Sequence, residues 1–188
     1  MHGRLHELMV EKALKGWARA FAILAALGVV VMLWAIVADV GVRNITRGSL
    51  PGMVEIGETM VVVVIFLGMM QAGVSGEHIT ITLLTSRLST KVRRTLQTFA
   101  WIVSAIILGW MTWATTLRAV SSFEGQESRF GILSWPIWPA RIVIAVGIVS
   151  MLFAAIWNVV RLLRGRPPMG EAAHSIEAQI EHELRAAS

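Results

Sequence analysis

The sequence predicts an all-α membrane protein with four transmembrane helices, and three observations support that prediction. The chain of 188 residues is 55% hydrophobic and only 15% charged, whereas soluble domains carry about 25% charged residues. Its apolar residues are concentrated in four runs, each close to the ~20 residues that a helix needs to cross a bilayer. Eight tryptophans and no tyrosine are typical of a membrane protein with indole rings at its interfaces.

The first predicted span runs from Ala20 to Ala38 without a charge. It follows a short polar start, Met1 to Arg19, and it is too long for the apolar region of a signal peptide, so we interpret it as an uncleaved helix. Asp39 and Arg43 follow at its far end, four residues apart and therefore on one helix face.

The second predicted span opens at Pro51, and its acids Glu55 and Glu58 stand in the first turns, where the helix dipole favours negative charge. No charge follows from Thr59 to Gly76. Because the preceding loop is short and rich in turn formers, spans one and two should be antiparallel neighbours.

A stretch too short and too polar to cross follows span two. Its apolar residues are spaced by three and four between Ile79 and Leu88, which predicts a short helix lying flat at the membrane interface. Ser89 is a candidate N-cap for span three, which we place at Thr95 to Leu117. Arg118 to Trp135 would then be the longest loop.

The fourth predicted span covers Ile142 to Val160, and Pro167 and Pro168 prevent its continuation. This divides the chain into a four-helix membrane domain, 1–166, and a tail, 167–188. The tail is acidic and alanine-rich, with an apolar residue at every fourth position. It could form a short helix that docks on another surface, or it could be a frayed, exposed tail.

The arginines and lysines predict the orientation. If the N-terminus lies inside, the inner segments contain 12 of the 17 Lys and Arg residues and the outer segments contain five. The positive-inside rule therefore places both termini in the cytoplasm.

Charged residues beside the spans are the first candidates for function, because charges are costly to bury in a membrane. Asp39 and Arg43 could form a gate or an ion site, but we favour a local ion pair that fixes the end of the span. Glu55 and Glu58 could ligate a cation, pair with Arg43 across the loop, or simply stabilise the helix start; we favour pairing or dipole stabilisation.

Four further polar or small residues are structural candidates. His78, at the corner after span two, could cap that corner or act as a ligand. Gly68 could allow a close helix approach, and the amides of Gln71 and Asn158 could form hydrogen bonds between helices.

Several classes of function are disfavoured. The absence of cysteine excludes disulfides, thiolate metal sites and cysteine nucleophiles. None of the histidines lies in a predicted span, so haem bound within the membrane is not expected. No phosphate loop or nucleophile constellation is present, and the basic stretch from Arg87 to Arg94 is more simply a lipid headgroup contact than a nucleic-acid site. We expect no enzyme activity and no cofactor.

The order of the local motifs resembles the small membrane subunit (DctQ-like small permease) of tripartite ATP-independent periplasmic (TRAP) transporters. The resemblance covers about Trp17 to Gly165, and five features in order support it: Arg43, the acidic entry from Leu50 to Glu58, the triplet Phe66-Leu67-Gly68, the corner from Gly76 to Ile79, and the cap from Ser89 to Arg94. Either Glu55 or Glu58 corresponds to the family's acid.

This resemblance implies a multi-pass protein of the bacterial inner membrane and a partner arrangement. A large multi-span TRAP membrane subunit would contain the substrate and sodium sites, and a periplasmic substrate-binding protein would deliver an organic anion. The small subunit would brace the moving parts of its partner, with Asp39, Arg43, Glu55, Glu58, Gly68 and His78 as structural or interface residues. The alternatives are an autonomous ion-coupled transporter or channel, a membrane anchor of a redox enzyme, and a structural membrane protein.

Overall fold

The computed structural model describes residues 2–75, 90–129 and 134–169, and these contain four helices. Each is long and apolar enough to cross a membrane, which confirms the four predicted spans. The predicted flat helix, His78 and the tail from residue 170 lie outside the described residues. The helices are α1 His2–Thr46, α2 Met53–Ser75, α3 Thr90–Glu124 and α4 Trp138–Leu163.

Three of the helices, α1, α3 and α4, are longer than the predicted spans, and α1 and α3 exceed them by the most. α1 begins at His2 rather than near Ala20, and α3 continues past Leu117 to Glu124. Hydropathy marks only the part of a helix that suits hydrocarbon, whereas Ala, Leu, Lys and Glu continue a helix equally well in water. The polar start and the beginning of the predicted long loop are therefore helical.

The rest of that loop contains a short antiparallel ladder. Strand β1, Ser128–Arg129, pairs with strand β2, Trp135–Pro136, in a register that sets Arg129 opposite Trp135. Pro139 stands in the first turn of α4, where its missing N–H costs nothing.

Three helices are followed within two residues by a residue with a left-handed backbone. Arg47 closes α1 with φ of 57°, Gln126 follows α3 with φ of 44°, and Gly165 follows α4 with φ of 84°. At the end of α4, the N–H of Arg166 donates to the carbonyl of Arg161 at 2.9 Å, the pattern that turns the chain sharply away. Only Gly165 adopts this conformation without a steric cost.

The four helices form an open row rather than a closed bundle. α2 packs against both α1 and α4, and α3 packs chiefly against α4. Helices α1 and α2, joined by a short loop, are therefore antiparallel neighbours, as the sequence predicts. Small residues permit the contacts: a Cβ added at Gly28 on α1 would meet Val64 of α2 at 3.2 Å, and one at Gly147 on α4 would meet the Phe66 carbonyl carbon at 2.9 Å.

The row has two distinct ends. We call the end that contains the α1–α2 loop and the β1–β2 ladder the ladder end. We call the opposite end, where α1 begins and α4 finishes, the terminal end. A buried cluster closes the terminal end, and it consists of Ala18, Met70, Val74, Ala154 and Met169.

The segment after α4 folds back onto the terminal end. The backbone N–H of Met169 donates to Oδ1 of Asn158 at 2.8 Å, and the carbonyl of Pro167 accepts from Arg161 Nε at 3.0 Å. Met169 is 2% exposed. Residues 167–169, which the sequence assigns to the tail, therefore contact the helices.

Candidate functional site

Asp39 organises the ladder end by binding the loop that joins α1 to α2. Its Oδ1 accepts from the Ser49 hydroxyl at 2.7 Å and from the Leu50 backbone N–H at 2.8 Å, while its Oδ2 accepts from Arg43 at 2.8 Å. Three donors on one carboxylate hold the loop against the last turns of α1. Asp39 is therefore engaged in internal structure.

Arg43 lies between Asp39 and the same loop. Its guanidinium donates to Asp39 and, at 3.2 Å, to the Ser49 hydroxyl. The predicted pair of Asp39 and Arg43 on one helix face is thus formed, and it fixes the end of α1. Arg43 stays 58% exposed in its side chain, so one side of the guanidinium remains open to the surroundings.

Glu58 joins α2 to the ladder rather than to Arg43. It forms an ion pair with Arg129 of β1, and beside it the indole N–H of Trp135 on β2 donates to the Thr59 hydroxyl at 3.1 Å. A second ion pair, Arg141 to Glu127 at 2.8 Å, joins the start of α4 to the segment that directly follows α3. These contacts fasten the ladder onto the first turns of α2.

Glu55 stands in the first turn of α2, and no described residue forms an ion pair with it. This position fits stabilisation of the helix dipole, one of the predicted alternatives. Pairing of either Glu55 or Glu58 with Arg43 does not occur within the part of the chain that the structure describes.

Gly68 does not provide a close approach between the described helices. A Cβ added there would meet nothing within 4 Å, whereas Gly147 and Gly28 lie at the tight crossings. Gln71 likewise donates to Ser75 one turn along its own helix, at 2.9 Å, instead of bonding across to another helix. Both sequence expectations were wrong for contacts inside the described chain, because apolar runs do not reveal which helix face meets a neighbour. The hypothesis that Gly68 lies at a subunit interface stays a prediction.

The terminal end has its own polar fastenings. Glu11 on α1 pairs with Arg161 on α4 at 2.9 Å. Arg94, near the start of α3, donates to the Leu162 carbonyl from Nε at 3.1 Å and from an η nitrogen at 2.8 Å. A cation is favoured at this position because the last carbonyls of a helix carry partial negative charge.

Across residues 2–75, 90–129 and 134–169, no group of three or more His, Asp or Glu side chains is arranged to hold a metal ion. Asp39 is bound by its loop and Glu58 by the ladder, so their carboxylates serve different contacts. The arrangement holds helices and loops in place, and its charged groups stand at the helix ends.

The flanks of the row are strongly apolar and open. In the most apolar window of α3, none of the residues is buried within the chain. Large side chains on α1 and α3 are mostly exposed, for example Trp34 at 71%, Ile106 at 67%, Trp110 at 76% and Trp113 at 69%. In a membrane, such surfaces meet lipid or another protein.

Sequence reasoning missed Arg129, Thr59 and Trp135, which anchor the ladder. Their partners lie about 70 residues away in the chain, as the Arg129–Glu58 pair shows, so local spacing gives no signal. It also missed Gly147, although a glycine in an otherwise bulky apolar run is a recognisable signal of close helix packing.

Together these features define a multi-span membrane protein. Its charged groups hold the helix ends and loops in place, and its open apolar flanks suit contact with lipid or another protein. Residues 32–165 match the family described as "Tripartite ATP-independent periplasmic transporters, DctQ component". This match covers most of the chain, and the chain therefore belongs to the DctQ component family of TRAP transporters. No curated protein and no solved structure matches the sequence closely enough to be compared with it.

Proposed function

We propose that this chain is a stationary brace for a large multi-span TRAP subunit, which takes up an organic anion by coupling it to an ion gradient, with sodium as the candidate ion. A periplasmic substrate-binding protein would deliver the anion. The chain itself would perform no chemistry and hold no cofactor. The observation that supports this most is the contrast between internally bonded polar ends and open apolar flanks.

The helices argue for a supporting role. Transporters bind substrate and ions near the middle of the membrane with broken helices and exposed backbone groups. Here the four spans are continuous helices, and the carboxylates of Asp39 and Glu58 are already bonded to Arg43, Ser49 and Arg129. These groups supply rigidity at the ends.

The open flanks of α1 and α3 offer the surface for the large subunit. Helix association in lipid depends on close van der Waals packing, because hydrocarbon provides no hydrophobic driving force. The indoles of Trp110 and Trp113 on α3 offer large contact areas, since both are mostly exposed. We propose that a substantial part of this flank is covered by the partner in the assembled transporter.

We propose that the ladder end faces the periplasm and that the terminal end faces the cytoplasm. The excess of Lys and Arg in the terminal-end segments supports this through the positive-inside rule. The fastened α1–α2 loop and the β1–β2 ladder would then form a firm surface toward the binding protein.

Cysteine labelling tests the orientation, because the chain has no native cysteine. We expect Gly48→Cys at the ladder end to react with a membrane-impermeant maleimide from the periplasm. Gly16→Cys at the terminal end should react only after the membrane is opened. The reverse pattern would overturn the orientation.

Reconstitution tests the supporting role. The chain alone in liposomes should move no solute, and uptake should appear only with the large subunit and the binding protein. Cysteines at exposed Trp110 or Ile106 should crosslink to the large subunit, and Ala154→Cys, at a fully buried position, is the matched control. Solute transport by the chain alone would favour an autonomous transporter instead.

A further inference from the structure

The terminal end is strongly cationic, whereas the ladder end is balanced. Among residues 9–75, 92–129 and 134–169, the ladder end has five basic and five acidic side chains. In the same ranges the terminal end has one acid, Glu11, and eight basic residues: Lys12, Lys15, Arg19, Arg93, Arg94, Arg161, Arg164 and Arg166. A surface with this surplus attracts anions.

Some of these cations serve internal contacts. Arg94 binds the last carbonyls of α4. Glu11 is shared between Arg161 at 2.9 Å and Lys15 at 3.4 Å, so its negative charge is already offset. In contrast, Lys12 and Arg19 are exposed and form no ion pair with any residue that the structure describes.

Lys12, Lys15 and Arg19 lie on one face of α1, because they are spaced by three and four residues. Gly16 lies among them, and a Cβ added there would meet nothing within 4 Å. The helix surface beside the three side chains is therefore open at Gly16, and we call this open surface the notch. With a rise of about 1.5 Å per residue, the notch is about 10 Å long.

The notch stands where α1 enters the membrane. Arg19 is the last charged residue before the uncharged run Ala20–Ala38. Trp17, 63% exposed and packed edge-to-face against Phe21, lies at the same level. Exposed indole rings prefer the headgroup region, so the three cations are placed at the depth of lipid phosphates.

We propose that Lys12, Lys15 and Arg19 form a binding site for the headgroup of an anionic phospholipid. The three cations complement the phosphate charge, and the open notch at Gly16 admits the headgroup to the helix. This site anchors α1 to one leaflet at the point where the helix enters the membrane. The proposal requires only that α1 crosses a bilayer, and it is independent of the transporter role.

The test uses the full-length chain, alone or with the partner that copurifies, in nanodiscs of phosphatidylcholine with added phosphatidylglycerol. Native mass spectrometry measures the bound phosphatidylglycerol. Each cation near a membrane surface contributes about fivefold to the preference for anionic lipid. The triple variant K12Q/K15Q/R19Q should therefore lose about a hundredfold of that preference, and K12R/K15R/R19K should retain it.

The matched control is R47Q/R118Q, which removes two exposed cations from the ladder end. It should lose much less lipid binding than the triple variant, because five acidic side chains already offset the cations at that end. If the triple variant does not fold, Lys12→Gln and Arg19→Gln are measured singly, each with an expected loss of about fivefold. Equal phosphatidylglycerol retention by wild type and variants would overturn the proposal. Displacement of the lipid by millimolar inorganic phosphate would also overturn it, because a soluble anion would then be the ligand.

Discussion

The backbone of Phe66 on α2 lies directly against Gly147 on α4, where a Cβ would be 2.9 Å from the Phe66 carbonyl carbon and from its Cβ. Real Cβ atoms do not occupy such space, so one of the two helices would have to move. This crossing joins the two central helices of the row, and the flanking helices α1 and α3 pack onto them. The approach of α2 to α4, and with it the placement of the α1–α2 half of the row against the α3–α4 half, therefore depends on the absence of a side chain at Gly147.

We expect Gly147→Ala to lower the free energy of unfolding by about 1–3 kcal/mol, the usual cost of overpacking a tight contact. Gly109→Ala on α3 is the matched control, because a Cβ there would meet nothing within 4 Å. It should be neutral or stabilising by up to about 1 kcal/mol, since alanine favours a helix over glycine. Denaturing-detergent titrations followed by tryptophan fluorescence measure both. Equal effects of the two substitutions would contradict the crossing.

The four spans could be predicted from sequence because hydropathy is a local property. Span ends were less accessible: the helical continuation of α1 to His2 and of α3 to Glu124 depends on helix propensity in residues that hydropathy treats as loop. The Asp39–Arg43 pair could also be predicted, because residues four apart on a helix are neighbours on one face.

The rest of the candidate site depends on tertiary contacts. Ser49 and the Leu50 amide reach Asp39 only because the α1–α2 loop turns back over the helix end. The Glu58–Arg129 pair requires the ladder to lie over α2, and no spacing within either segment encodes that contact. Long-range placement of this kind follows from packing, which a single sequence does not display.

Asp39→Asn should loosen the α1–α2 loop. The amide keeps one acceptor but loses the charge that binds Arg43 and strengthens the bonds from Ser49 and Leu50. We expect a loss of about 1–3 kcal/mol in the free energy of unfolding, because hydrogen bonds to charged groups are worth about 1.5–3 kcal/mol. Ser49→Ala removes one donor and should cost less. The substitutions together should cost less than their sum, as residues in one network do; strict additivity would argue against a shared network.

Replacement of Glu58 by Gln should have only a small effect on stability. Its partner Arg129 and Glu58 itself are both more than half exposed, and exposed ion pairs contribute about 0.2–1 kcal/mol. The loss of stability caused by Glu58→Gln should be even smaller in high salt, which screens exposed charges. Trp135→Phe, which removes the 3.1 Å bond to Thr59, should cost about 0.5–1.5 kcal/mol and remain salt-independent. A large, salt-insensitive loss for Glu58→Gln would show that the pair is more deeply covered than its exposure indicates.

Two turn residues with the same backbone handedness should respond in opposite directions. Arg47 has φ of 57° and closes α1 by donating its N–H to the Arg43 carbonyl at 3.0 Å, but a side chain in this conformation carries a steric cost. Arg47→Gly relieves that cost and should raise the free energy of unfolding by up to about 1 kcal/mol. Gly165, with φ of 84°, adopts the left-handed conformation without a steric cost, so Gly165→Ala should lower the free energy of unfolding by about 1 kcal/mol. Thermal unfolding in mild detergent compares them with wild type, and Arg47→Ala separates the backbone effect from the loss of charge. Destabilisation by Arg47→Gly with no change for Arg47→Ala would mean that added backbone freedom in the unfolded chain outweighs the relief of strain.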